Sequence, residues 1–145
     1  MKKQNQNIGQ KGAAAVEFAI ILPLLVILVF GIIDISTALY NKQVITNASR
    51  EGAREGISRS TILAVKNVAV DYCNSTNRLF PSGTSLSVGD VEVSGGGLGA
   101  SFQSDLTVTV THVHNFMFAD IIGLSPTITM TGRTVMKMEP PPPSP

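Results

Sequence analysis

The chain has 145 residues, enough for one modest domain, and its formal net charge is only +1. Three of its 11 basic residues lie in the first twelve positions, which contain no acid, so the remainder has eight basic against ten acidic residues. This scattered balance excludes an electrostatic surface for nucleic acid, and we expect no nucleic-acid partner. A single cysteine, Cys73, excludes an intramolecular disulfide. We expect it to be a small, semi-buried hydrophobe rather than an intermolecular bridge.

A long apolar segment follows the basic N-terminus. Residues 18–33 carry no charge, but as a helix they span about 24 Å, less than the roughly 30 Å core of a bilayer. Extension to residues 13–35 gives about 34 Å, so we predict a transmembrane helix over 13–35. The lysines before this span predict an N-terminus on the cytoplasmic side. Pro23 lies within it and predicts a mild kink or a point where the helix can bend.

Glu17 lies at the entrance of this span, where a carboxylate costs less than the about 2.5–3.5 kcal/mol expected at the bilayer centre. A cleaved secretory signal is the alternative, since Ser36-Thr37-Ala38 has small residues where signal peptidase prefers them. Such signals have apolar cores of about 7–15 residues, shorter than this one, and lack an acid at the start. We therefore favour a retained helix.

The N-terminal region resembles the processing site of type IV prepilins. Gly12 is followed five residues later by Glu17-Phe18, after a basic leader and directly before the apolar run. The resemblance implies that residues 1–12 are a leader that a prepilin peptidase removes by cutting between Gly12 and Ala13. It also implies that Glu17 pairs with the N-terminal amine of a neighbouring subunit, which would neutralise the carboxylate in an apolar setting.

The helical pattern continues beyond the membrane segment. Apolar residues recur with helical spacing through residues 34–72, which contain no proline, so we predict an amphipathic continuation of the helix over 36–72. Unbroken from Ala13 to Tyr72, the helix would be about 90 Å long. Gly52 and Gly56 each cost about 1 kcal/mol relative to alanine in a helix. The alternative is that these glycines mark a turn between two shorter helices.

Small residues and charges alternate in this continuation. Ala48, Gly52, Gly56 and Ser60 repeat every four residues, a ridge that allows close approach of another helix. The charged residues beside this ridge, which are suited to a charged partner or form an ordinary solvated face, are Arg50, Glu51 and Arg54.

These blocks together resemble the signature of the TadE-like family over residues 12–54. The matching residues are Gly12, Glu17-Phe18, Leu22-Pro23, Gly31, Asp34 and the block from Ala48 to Arg54. The chain departs from the commoner pattern by having Ser49 instead of alanine and Asp34 instead of glutamate. The resemblance implies a pseudopilin of the bacterial tight-adherence (Flp) pilus machinery, processed by a prepilin peptidase and needed for pilus assembly.

The remaining residues predict a small β-rich head over 73–139. Alternating residues predict strands on either side of Gly89-Asp90 (a hairpin turn or one bulged strand), over 105–114, and over 127–138 with a bulge after Gly132. Three or four antiparallel strands would pack one face on the distal helix. The predicted fold class is therefore α+β and pilin-like. Residues 140–145 predict a disordered proline-rich tail.

The head shows no catalytic signature. No nucleophile elbow, phosphate loop, paired catalytic acids or zinc spacing occurs in the sequence, so we predict no enzyme activity, cofactor or small-molecule substrate. The alternation of residues 105–114 places His112, together with His114, on the apolar face of the strand, although threonine-rich strands often carry exposed histidines; a third ligand is missing, so we predict no metal site. The apolar stretch 115–118 with Ile121-Ile122 predicts either a cap on the core or a patch for a neighbouring subunit.

Together these observations favour a TadE-like pseudopilin in the bacterial cytoplasmic membrane, with one N-in helix and the head outside the cytoplasm. The expected partners are the prepilin peptidase, other pilins or pseudopilins and the inner-membrane assembly platform, and the protein could enter an extracellular pilus. The alternative function is a single-pass envelope anchor that displays a small β-rich binding domain and keeps its leader.

Overall fold

A computed structural model describes residues 7–58, 60–75, 79, 84–96, 104–118, 123 and 126–138, with side chains from residue 12 onwards. Its main element is helix α1, Asn7–Ile57, with 51 residues and a length of about 77 Å. Helix α2, Ile62–Asn74, follows after a short connection. A three-stranded antiparallel sheet completes the fold, in the order β1 (Val91–Ser94), β2 (Asp105–Asn115) and β3 (Thr127–Lys137). The predicted α+β class with a long N-terminal helix is confirmed.

The preferred prediction of one unbroken helix to Tyr72 is wrong. The helix ends at Ile57, where hydroxyl groups compete for backbone and carboxylate acceptors. Ser58 donates to the Glu55 carbonyl (2.7 Å), and Ser60 bonds the Glu55 carboxylate. Thr61 then caps α2 by accepting a hydrogen bond from the Ala64 N–H (3.2 Å). The alternative of two helices is correct, but the break comes after the glycines rather than at them.

Helix α2 packs against α1 and the sheet by means of small side chains. Its buried residues Val65, Ala69 and Cys73 recur every four positions and so share one face. Cys73 is completely buried in the hydrophobic core. Where α2 ends, the Asn74 side chain pairs with both the N–H and the carbonyl of Leu86, each at 2.9 Å. This pairing ties the end of α2 to the segment before β1.

The segment around Gly89 is not the predicted hairpin turn or bulged strand. Residues Val88–Asp90 form a single 3-10 turn, and β1 begins only at Val91. The Asp90 carboxylate accepts from the Ser87 N–H (2.7 Å) and from the Ser87 hydroxyl (2.8 Å). This local pairing accounts for the turn, because it satisfies the carboxylate and the backbone within four residues.

Strands β2 and β3 pair without interruption from Asp105↔Lys137 to Asn115↔Thr127. The predicted bulge after Gly132 is therefore absent. Gly132 occupies an inward position at which a Cβ would lie only 2.5 Å from the Ile45 carbonyl oxygen. The strand thus needs glycine there because the backbone of α1 crosses directly over it.

The core lies between the helices and one face of the sheet. Buried residues of α1 recur at helical spacing and meet buried residues at alternate positions of β2. Strand β2 runs antiparallel to α1: Leu106 lies beside Gly56, His114 beside Asn41, and Phe118 beside Phe30. From Phe30 to Gly56 the helix rises about 39 Å, and from Leu106 to Phe118 an extended chain covers about 40 Å. The helix and the strand therefore lie side by side over nearly equal lengths.

Candidate functional site in the N-terminal helix

The first part of α1 is uncovered on every side. Every residue from Gly12 to Ile33 is exposed except Phe30, which is half-buried. This part of the helix is long and apolar enough to cross a membrane, and it is the single candidate span among the described residues. An apolar helix that no protein surface covers fits a lipid environment, as predicted for residues 13–35.

Gly12 and Ala13, the predicted cleavage point, lie within α1 rather than before it. Both residues are exposed, and no atom of the head lies within 4 Å of a Cβ built on Gly12. The peptide bond between them is therefore open to an enzyme, provided that the helix unwinds locally. Glycine favours such unwinding because it lowers helix stability by about 1 kcal/mol relative to alanine.

Glu17 is exposed on the apolar part of α1, little more than one turn after Ala13. Within the part of the chain that the structure describes, no side chain forms an ion pair or hydrogen bond with its carboxylate. Pro23 follows in the same helix and has no N–H for the Ala19 carbonyl.

Asp34, unlike Glu17, is a buried carboxylate. It is 6% exposed, and its two oxygens accept hydrogen bonds from the N–H groups of Met117 (3.2 Å) and Phe118 (3.1 Å). These donors lie immediately after β2, so Asp34 holds the end of the β2–β3 hairpin on the helix. This role of Asp34 was not predicted from the sequence. The available signal was an acid placed directly at the end of the apolar run.

An aromatic pair joins the same two elements one turn earlier in the helix. The rings of Phe30 and Phe118 are stacked, with centroids 4.2 Å apart and planes 3° from parallel. Phe116 also packs edge-on against His114, at a centroid distance of 5.2 Å. Phe116 and Phe118 thus pack on the end of the β2–β3 hairpin and on α1, whereas Met117 is exposed and Ile121-Ile122 lie outside the described residues.

Further polar contacts fix the sheet along the second part of α1. Asn41 Nδ2 lies 2.9 Å from Nδ1 of the buried His114. Ser49 and Thr134 share a hydrogen bond between their hydroxyl groups (2.7 Å). Lys42 donates to the Thr131 carbonyl. These contacts specify one alignment of helix and sheet, since each links an individual polar group on α1 to one on a strand.

The small-residue ridge is buried inside the protein. Ala48, Gly52 and Gly56 are all buried, and a Cβ on Gly52 would meet the Val65 carbonyl oxygen at 3.2 Å and the Val108 side chain at 3.4 Å. A Cβ on Gly56 would collide with Leu106. Ser60 lies beyond the end of α1 and is not part of the helix surface. The small residues of the ridge therefore allow α2 and β2 of the same chain to pack closely against α1.

The three charged residues beside this ridge are exposed, in contrast to the buried small residues. Arg50, Glu51 and Arg54 are exposed, and the one described side-chain hydrogen bond of these three residues runs from Arg50 to the Asn47 side-chain oxygen (3.4 Å). The three side chains thus form a polar surface on the back of the head-bearing helix.

Both histidines are buried, as the alternation of β2 indicated for His112 and contrary to the exposed position that is common in threonine-rich strands. His112 is 6% and His114 is 1% exposed, and neither Nε2 has a hydrogen-bond partner within the described residues. Burial lowers the pKa of His112 from 6.5, the nearby His114 lowers it further, and Asp90 opposes the shift. Among the described residues, no group of three His, Cys, Asp or Glu side chains is placed to hold a metal ion.

Comparison with known families identifies the same region that the residues singled out. Residues 12–54 match the family model described as TadE-like protein. The matched segment begins at Gly12, includes the whole exposed apolar part of α1, and ends at Arg54. No curated protein and no solved structure matches the chain.

Proposed function

We propose that this chain, whose residues 12–54 match the family model of TadE-like proteins, is a membrane-inserted pseudopilin needed for assembly of tight-adherence (Flp) pili. A prepilin peptidase removes residues 1–12 by cutting between Gly12 and Ala13. The apolar part of α1 stays in the cytoplasmic membrane with its N-terminus inside, and the head lies outside the cytoplasm. Its partners are other pilins or pseudopilins and the inner-membrane assembly platform.

The continuity of α1 is the observation that supports this function best. One helix leaves the apolar segment and enters the core of the head without a break. Cleavage after Ala38, as for a secretory signal, would remove Phe30 and Asp34 and so the contacts that hold the β2–β3 hairpin. A helix that the head requires for its own packing is better suited to a protein that keeps its membrane segment.

Glu17 would act as the intersubunit contact. Its carboxylate is exposed beside apolar side chains, a position that is costly in lipid unless a positive group approaches. Cleavage after Gly12 would create such a group, since the new N-terminus at Ala13 is an amine. Pairing between this amine and the Glu17 of another subunit would neutralise both charges in the apolar environment of an assembly.

The Gly12→Ala and Glu17→Ala variants test this function when expressed with the peptidase and the pilus machinery. We expect Gly12→Ala to remain at full length, because the residue before the cut is changed. We expect Glu17→Ala to be processed but to fail in pilus assembly, because the amine has lost its partner.

Two control variants make the test specific. Gly31→Ala changes another open glycine of α1, and Val16→Ala changes an exposed residue next to Glu17. Both should be processed and should support surface pili. Normal piliation by both Gly12→Ala and Glu17→Ala would contradict the assembly role. If the wild-type chain is not processed and Glu17→Ala has no effect, the single-pass anchor is favoured instead.

A further inference from the structure

The end of the β2–β3 hairpin lies beside the apolar part of α1 rather than beyond it. Phe118 stacks on Phe30, which belongs to the charge-free run 18–33. Asp34, directly after that run, accepts hydrogen bonds from the N–H groups of Met117 and Phe118. The hairpin end is therefore fixed at the level where the helix leaves its apolar segment.

Helix geometry gives the depth of this contact. If Glu17 lies at one surface of the hydrocarbon layer, Phe30 is about 20 Å and Asp34 about 26 Å further along an untilted helix. The layer itself is about 30 Å thick. If the span instead ends at Ile35, Phe30 is still about 7 Å inside the boundary. Either placement puts Phe118 at the height of the acyl chains or of the interface above them.

The chemistry of the hairpin end suits this depth. Met117 is 48% exposed and Ile128, at the same end of the sheet, is 45% exposed. Asp34 is the one acid of the described residues at this level, and two N–H groups satisfy its carboxylate while the surrounding residues cover it. The opposite end of the sheet has an exposed ion pair between Asp105 and Lys137 (2.7 Å). Among the described residues, the hairpin end of the sheet therefore exposes Met117 and Ile128 and no charged side chain, whereas the other end exposes an ion pair.

We infer that the end of the β2–β3 hairpin, formed by Met117 and Phe118, is a second membrane contact. It is seated in the interfacial layer of the leaflet through which α1 leaves the bilayer. Lipid is the favoured occupant because the surface is continuous with the spanning helix: Phe118 stacks on Phe30, and the other residues of the run 18–33 are exposed. The contact restricts the tilt of the head relative to the membrane, since the head is then attached at two places. It does not depend on pilus assembly.

Tryptophan fluorescence tests the contact, because the chain contains no tryptophan of its own. Met117→Trp and Val135→Trp, two positions of similar exposure (48% and 51%), are each placed in the full chain and reconstituted in phosphatidylcholine–phosphatidylglycerol vesicles. Val135 lies near the charged end of the sheet, opposite Thr107. Lipids brominated near the headgroup or near the bilayer centre then serve as quenchers.

We expect the tryptophan at position 117 to emit at shorter wavelength and to lose fluorescence with the shallow bromines more than with the deep ones. The tryptophan at position 135 should be quenched by neither. Val113→Trp, about 13 Å further from the membrane along β2 than Met117, should give an intermediate loss. If Met117→Trp unfolds the head, the comparison of positions 113 and 135 still decides the question.

Equal quenching at all three positions would overturn the inference. A blue-shifted tryptophan 117 that brominated lipids do not quench would also overturn it, since this result means that a second protein copy covers the hairpin end. Both outcomes leave the assembly function untouched, because quenching in vesicles requires neither leader processing nor pili.

Discussion

The two parts of helix α1 have similar lengths but bury their side chains in opposite ways. From Gly12 to Ile33 every side faces outward, apart from the half-buried Phe30. Asp34 is buried, and from Asn41 to Gly56 buried residues recur every three or four positions and support the head. The more apolar part is thus the one that the protein leaves uncovered. The period of the apolar residues, rather than their number, therefore indicates which part of a helix joins the protein core.

The difference also separates the tasks of the two parts. Within the described residues, no contact joins the first part to the head before Phe30, and its exposed side chains are available to lipid and to other helices. The second part uses its polar groups for the sheet and presents Arg50, Glu51 and Arg54 on its back. Mutations in the two parts should therefore affect different properties.

The largest expected difference comes from removing the same side chain in each part. Ile45 is completely buried and Ile27 is 57% exposed. We expect Ile45→Ala to destabilise the head by about 2–5 kcal/mol, because it opens a cavity in the core. Ile27→Ala should change head stability by less than about 0.5 kcal/mol. Hydrogen exchange of the β2 amides in detergent micelles measures both, and equal losses would contradict the division of α1.

Asp34, at the boundary between the two parts, should stabilise the attachment of the β2–β3 hairpin to α1. Asp34→Ala leaves the N–H groups of Met117 and Phe118 without their acceptor, which should cost about 1–3 kcal/mol. Asp105→Ala is the matched control, since its exposed ion pair with Lys137 contributes at most about 1 kcal/mol. Exchange rates at residues 117 and 118 should rise in the first variant only. Unchanged protection of these two amides would show that Asp34 does not hold the hairpin.

A change of pH should have a smaller effect than these substitutions, and it should alter only the stability of the head. Burial lowers the pKa of His112 in the folded chain below its ordinary value of 6.5, so the unfolded chain binds a proton more readily. Head stability should therefore be constant above pH 6.5 and fall as the pH drops below it. His112→Gln should flatten this dependence between about pH 6.5 and pH 5, above the range of ordinary carboxylates. A wild-type profile that is already flat in this window would contradict the assignment.

Features with a regular period were predictable from the sequence. The apolar run, the helical spacing of residues 34–57 and the alternation of residues 105–114 indicated α1 and β2 directly, because each period reflects one buried face. Strand β3 was predicted with a bulge because Gly132 and Thr134 stand at inward positions where apolar residues are usual. Glycine is needed there by the approach of Ile45, and Thr134 bonds Ser49.

Features that depend on distant partners could not be read from the sequence. Asp34 and the amides that it binds are separated by more than 80 residues. The burial of His114 depends on Asn41, which is similarly distant in the chain. The break after Ile57 had a local signal, the cluster of serines and Thr61 that bond Glu55 and cap α2. That signal was outweighed by the continuing helical period, which indeed resumes in α2.

The most direct test of the central claim is the mass of the protein purified from membranes that contain a prepilin peptidase. The account predicts a mature chain that begins at Ala13 and retains all of the apolar part of α1. The same chain from a host without the peptidase should begin at Met1. An intact Met1 in both hosts, or a chain that begins after Ala38, would contradict the claim that this helix is exposed by leader cleavage and kept for assembly.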